Sequence, residues 1–107
     1  MSLVIGIDCG LDGGLVTLDS SGDITDQRVM PTVKLGKGRK INVHELCGDI
    51  LSFSGVKPIV CVENPGAHAP SAAGVRSMTY SFAVVEAFCV AHNLRYNEVA
   101  AKTGQKE

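Results

Sequence analysis

Two acidic residues stand where their chemistry could be used. Asp8 closes the near-continuous apolar run from Leu3 to Cys9, and Glu63 closes the apolar run Ile59 to Val62. Runs of that length and composition read as buried strands. In open α/β sheets, ligands gather outside the carboxyl ends of parallel strands, and neighbouring strands lie about 4.8 Å apart. If the two runs are neighbours, both carboxylates meet on one rim. No Lys or Arg lies within a few residues of either acid to neutralise it. Two carboxylates held so close need a cation, or one of them stays protonated. Oxygen ligands favour Mg²⁺ or Mn²⁺ over zinc. A pair of such ions can activate water and steady the leaving oxygen in phosphodiester hydrolysis. The plainer alternative is that both are strand-end acids meeting solvent or helix N-termini, and spacing alone leaves the two readings open.

Other residues invite a role. Lys34, Lys37, Arg39 and Lys40 fall within one Gly-containing stretch, a local basic patch in a chain of net charge −1. The patch could meet phosphates or be the solvated tip of a hairpin. Arg76 could hold a phosphate and Tyr80 could stack on a displaced base. Tyrosine also suits a dimer interface. Asp12-Gly13-Gly14 could bind phosphate through its backbone, but a tight hairpin needs those glycines anyway, and the hairpin reading is preferred. His68 is read as a loop residue, and His44 and His92 as surface or dipole-complementing residues of helix ends. Cys9, Cys47, Cys61 and Cys89 form no C-x-x-C pair and sit in apolar stretches. They are expected to be reduced core residues of a cytoplasmic protein, not zinc ligands.

The elements that must position these groups follow from the pattern. Leu3–Cys9, Leu15–Leu18 and Ile24–Met30, separated by turn-formers, predict an antiparallel meander. Gly36-Lys37-Gly38 reads as a loop. Asn42, with Glu45 three residues on, caps a helix from Val43 to about Phe53. Ser54 to Pro58 stops it, and the strand ending at Glu63 follows. After a loop to about Ala73, the helical spacing of Val75, Met78, Phe82, Val85 and Cys89 predicts an amphipathic helix to about His92. Leu94–Val99 is a fifth strand. The order βββ-α-β-α-β places the first strand centrally, antiparallel to the second and parallel to the one ending at Glu63. An apolar content of 45% suits a globular chain, and no apolar run approaches the roughly 20 residues of a membrane helix.

Several motifs in one order resemble a known family. Gly6-Ile7-Asp8-Cys9-Gly10, followed by a small-residue turn, is similar to the first-strand motif of RuvC-type Holliday-junction resolvases of the RNase H-like superfamily. Met30-Pro31-Thr32, the basic stretch Lys37 to Lys40, and Val62-Glu63 followed by Pro70, Gly74-Val75 and Ser77-Met78 look like phage and prophage members. Tyr96 to Val99, leading into Lys102 to Lys106, resembles the segment after their fifth strand. The resemblance implies a mixed sheet of three antiparallel and two parallel strands with flanking helices. It also implies a Mg²⁺- or Mn²⁺-dependent endonuclease that cuts branched DNA (four-way junctions) as a homodimer. Asp8 and Glu63 would be its metal-binding catalytic carboxylates, and Ser77, with the Pro70 to Met78 loop, would lie against DNA near the scissile phosphate.

The chain departs from that family in three ways. Gly104 stands where Trp is usual, and the helix beginning near Gly74 is about one turn short. The family also completes its metal site with acids on a last helix, which Glu98 and Glu107 do not match. Residues 1–107 are therefore expected to be a single nuclease domain lacking its C-terminal helix, cleaving poorly alone. The alternative is a catalytically inactive, truncated nucleic-acid-binding domain of the same fold. An ATP-binding fragment of the actin and sugar-kinase type ranks last, because no second phosphate-binding D-x-G motif follows Glu63.

Overall fold

The first strand is the hub of the architecture. In the computed structural model, which describes residues 3–52, 57–64 and 72–100, β1 (Val4–Asp8), β2 (Gly14–Leu18) and β3 (Ile24–Val29) form the meander. A separate hairpin, β4 (Thr32–Leu35) and β5 (Gly38–Ile41), precedes α1 (Val43–Leu51), β6 (Ile59–Asn64), α2 (Ala72–Ala91) and β7 (Tyr96–Ala100). The main sheet runs β3-β2-β1-β6-β7. β1 is antiparallel to β2 and parallel to β6, and β6 is parallel to β7. This is the arrangement the apolar runs predicted, a mixed five-stranded sheet with two helices.

Gly36-Lys37-Gly38 was expected as a loop, and the strands on either side of its turn were not predicted. Those strands have four residues each and are largely exposed, so there is no buried face to impose a period-2 signal. The turn itself follows rule: Gly36 takes φ +62°, which a tight two-residue connection demands at its first central position.

Alternation along the strands divides the sheet into two faces. Ile5, Ile7, Leu15, Val60 and Val62 are buried and join Leu46 and Ile50 of α1 and Val85 and Cys89 of α2 in one core. The opposite face, with Val4, Gly6, Val16 and Cys61, is only half-buried. Cys61 is thus not the core residue its apolar neighbours suggested, since period 2 turns it away from Val60 and Val62. Cys9 and Cys89 are buried, Cys47 is half-buried, and all four thiols are free.

Both helices end as local chemistry dictates. The Asn42 side chain accepts from the Glu45 N–H at 3.1 Å, capping α1. The reciprocal half of a capping box is replaced, because the Asn42 N–H donates to Pro31 O at 2.9 Å. α1 ends at Leu51, two residues before the expected Phe53, which lies outside the described residues. Asn93 takes a left-handed φ of +57°, and N–H groups of Asn93 and Leu94 return to Val90 O and Cys89 O, a Schellman stop. β7 accordingly begins at Tyr96.

Within α2 the buried line contains Ser81, which the apolar spacing could not reveal. Its hydroxyl donates to Ser77 O at 3.1 Å, so burial leaves it partnered. Among the described residues no helix is long and apolar enough to cross a membrane.

Gly48 is exposed in the interior of α1, with nothing within 4 Å of where a β-carbon would stand. Gly48→Ala is expected to stabilise the fold by about 0.5–1 kcal/mol, because alanine loses less backbone freedom on entering a helix. Urea unfolding followed by circular dichroism checks this as a higher midpoint at unchanged slope.

Candidate active site

The ladders bring the two acids together. β1 pairs Ile7 with Val62 in parallel register, so Asp8 and Glu63, one residue further on, stand side by side, about one strand spacing of 4.8 Å apart. Across the sheet Asp8 faces Gly14, Gly14 faces Val29, and Glu63 faces Val99. The rim is therefore one row: two carboxylates at its centre, a glycine beside them, and an exposed valine at each end.

Asp8 and Glu63 line a shallow depression of about 740 Å³ on the half-buried face, with Gly6, Gly13, Gly14 and Cys61 among its walls. Val29 is 82% exposed and Val99 48%. The electrostatic effect of the two acids is registered beneath the rim. The Cys9 thiol is pushed up to about 12, first by burial and then by the negative charges of Asp8 and Glu63. Both acids reach one buried thiol.

One oxygen of Asp8 is held locally: the Gly10 N–H donates to its Oδ1 at 3.1 Å. The turn that supplies this donor is closed by Gly13 N–H to Gly10 O at 2.9 Å. Asp8 and Glu63 are an all-oxygen donor pair suited to a hard divalent cation, which takes one or two carboxylates and keeps several waters. Among the described residues no group of three or more His, Cys, Asp and Glu side chains is placed to hold a metal ion.

The basic patch splits in two. Arg39 forms an ion pair with Asp12 of the β1–β2 turn, and its guanidinium also donates to Leu11 O at 3.5 Å. Lys40 lies 5.7 Å from the centre of the Tyr80 ring on α2. The hairpin thus touches both the turn beside Asp8 and the helix. Lys34 stands across from Arg39 in the ladder, Lys37 sits in the turn, and both are exposed.

Arg76 is exposed and Ser77 half-buried, and neither they nor Tyr80 line the depression. The helix expected after a loop to about Ala73 begins at Ala72, so the later part of the Pro70 to Met78 stretch is helical and not loop. Pro70 and His68 lie outside the described residues. His44 is exposed, and His92 packs its ring on Phe88 at 4.3 Å.

Two contributors were missed from sequence. Asp12 was read only as a turn residue, yet it lines the depression and holds Arg39. Their separation along the chain leaves no local signal. Arg28 of β3 was also overlooked. It pairs with Asp26 at 2.7 Å and with Asp49 of α1 at 2.9 Å, fastening the edge strand to the helix.

No family model and no curated protein matches the sequence. Solved structures do match. T. thermophilus RuvC in complex with Holliday junction substrate superposes with a TM-score of 0.69 at 16% identity, covering 94% of this chain and 64% of that one. A second Thermus thermophilus RuvC structure matches at 17% identity, covering 92% and 63%, with a TM-score of 0.49. The chain thus spans a little under two thirds of those proteins. With β1 central, β6 parallel beside it and the first of these matches extending over nearly all its residues, this protein has a RuvC-like fold.

Proposed function

We propose that this protein is a metal-dependent endonuclease cutting phosphodiester bonds in branched DNA, with Asp8 and Glu63 as its catalytic carboxylates. The observation that carries the reading is the pairing of these acids at adjacent parallel strand ends, on the open face of a RuvC-like sheet. Asp8 and Glu63 would hold Mg²⁺ or Mn²⁺, which supplies an activated water and charge neutralisation at the phosphate when bound. Gly10 orients the first carboxylate, and the glycine walls keep the approach to both acids open. Lys34, Lys37, Arg39 and Lys40, with Arg76, Ser77 and Tyr80 on α2, would meet the DNA backbone. Four-way junctions are the proposed substrate. A homodimer would present two sites to the two strands that must be cut.

A second reading has one observation in its favour. A two-acid site without a third ligand among the described residues fits a nucleic-acid-binding domain that does not cleave. One experiment separates them: the chain is incubated with a labelled four-way junction, or a linear duplex of matched sequence, in Mg²⁺, Mn²⁺ or EDTA. Weak junction nicking with metal, and none in EDTA, is the expected result. Tight junction binding with no nicking under any condition would establish the second reading. Absence of both binding and nicking would overturn the two together.

A further inference from the structure

We infer that Gly13 is a positioning residue for Asp8, holding the carboxylate in place by having no side chain. The inference rests on the reading of Asp8 as catalytic and adds to it. A β-carbon built on Gly13 would lie 2.2 Å from the carbonyl oxygen of Asp8, 2.9 Å from its carbonyl carbon and 2.9 Å from its Cγ. Those separations are far inside van der Waals range. Two of the three atoms belong to backbone locked in the ladder, where Asp8 pairs with Gly14. The third carries the carboxylate itself. An alanine at 13 therefore cannot be absorbed by a flexible neighbour, and whatever yields moves Asp8.

Among the described residues, the other glycines show that this is particular to position 13. Gly13 does not have a positive φ, unlike Gly22 and Gly36, so backbone conformation does not explain it. A β-carbon on Gly10 would meet Asp8 Oδ1 at 3.6 Å, an ordinary contact. One on Gly14 would meet Arg28 O of β3 at 2.5 Å, a clash with the neighbouring strand and not with the acid. Gly13 is also tied on both sides: its N–H donates to Gly10 O at 2.9 Å, and its carbonyl accepts the Met30 N–H at 3.0 Å. The turn is thus a rigid wall against which Asp8 rests, while Gly10 supplies the hydrogen bond that sets its rotation.

The test is nuclear magnetic resonance on the isotope-labelled chain, comparing wild type with Gly13→Ala, Gly10→Ala and Gly48→Ala. In the wild type the Gly10 amide should show the small through-hydrogen-bond coupling to the Asp8 side-chain carboxyl carbon, because the two share a hydrogen bond. Gly13→Ala should break that linkage while the spectrum stays dispersed. Gly10→Ala, which keeps the N–H, and Gly48→Ala should preserve it.

Junction nicking by Gly13→Ala should fall about 100-fold with junction affinity retained, the scale expected of a catalytic group misplaced by about 1 Å. Persistence of the Gly10–Asp8 linkage in folded Gly13→Ala would overturn the proposal. If Gly13→Ala unfolds, it is repeated in the helix-stabilised Gly48→Ala background. Failure to fold there as well would overturn the proposal too, by making Gly13 a requirement of the fold. The resonance readout needs no catalysis. Should the wild type nick nothing, the nuclease reading fails while the placement of Asp8 is still decided.

Discussion

Asp8→Asn and Glu63→Gln are each expected to lower metal-dependent nicking of a four-way junction by about 10³-fold. A carboxylate that holds a catalytic cation supports several kcal/mol of transition-state stabilisation, and each 1.36 kcal/mol is a factor of ten. Both substitutions keep the size of the side chain and remove only its charge, so the row Gly14–Asp8–Glu63–Val99 should persist. Junction affinity should hold or rise slightly, since each change removes a negative charge from a surface that meets phosphates. Nicking that survives Asp8→Asn would remove this residue from the chemistry.

Neutralising the hairpin should act on binding and leave its dependence on DNA sequence unchanged. Lys34→Gln with Lys37→Gln is expected to flatten the log–log salt dependence of DNA affinity by up to about 1.8, at about 0.9 for each phosphate no longer neutralised. These two are the exposed cations of the hairpin with neither an ion pair nor an aromatic contact among the described residues. Adding Arg39→Gln and Lys40→Gln should contribute less than another equal step. Arg39 already faces Asp12 and Lys40 already lies over Tyr80, so DNA must compete with partners they have. A fluorescence-anisotropy salt titration of the double and quadruple variants measures the two steps separately. An unchanged slope in the quadruple variant would reduce the hairpin to solvated surface.

The strands and the two acids were legible in sequence because their signals are local. An apolar run that ends in a carboxylate states both the strand and the place of the charge within a few residues, as at Ile7-Asp8 and Val62-Glu63. Helix boundaries were equally local, with Asn42 starting α1 and Asn93 ending α2 through backbone groups within five residues. What escaped depended on partners far along the chain. Arg39 meets Asp12, Arg28 meets Asp49, and Lys40 meets Tyr80 only because the fold juxtaposes them. The hairpin escaped because nothing buries it deeply enough to pattern its residues. Cys61 was misjudged because a continuous apolar run conceals which of its alternate positions faces the open side.

The central position of β1 sets the order in which this site can come into being. Pairing β1 with β2 and β3 closes turns of a few residues, whereas pairing it with β6 closes a loop from position 7 to position 62. Local pairings form early and distant ones late, because the entropy of loop closure must be met first. Asp8 is therefore expected to reach its turn, its Gly10 hydrogen bond and its Gly13 wall in the meander before Glu63 arrives. The step that brings Glu63 in also sets two carboxylates side by side at adjacent strand ends. Any cation that binds the assembled pair and not the separated one draws this last pairing forward by mass action. If the pair takes a cation as proposed, folding of the parallel half and occupancy of the site would be linked in one equilibrium.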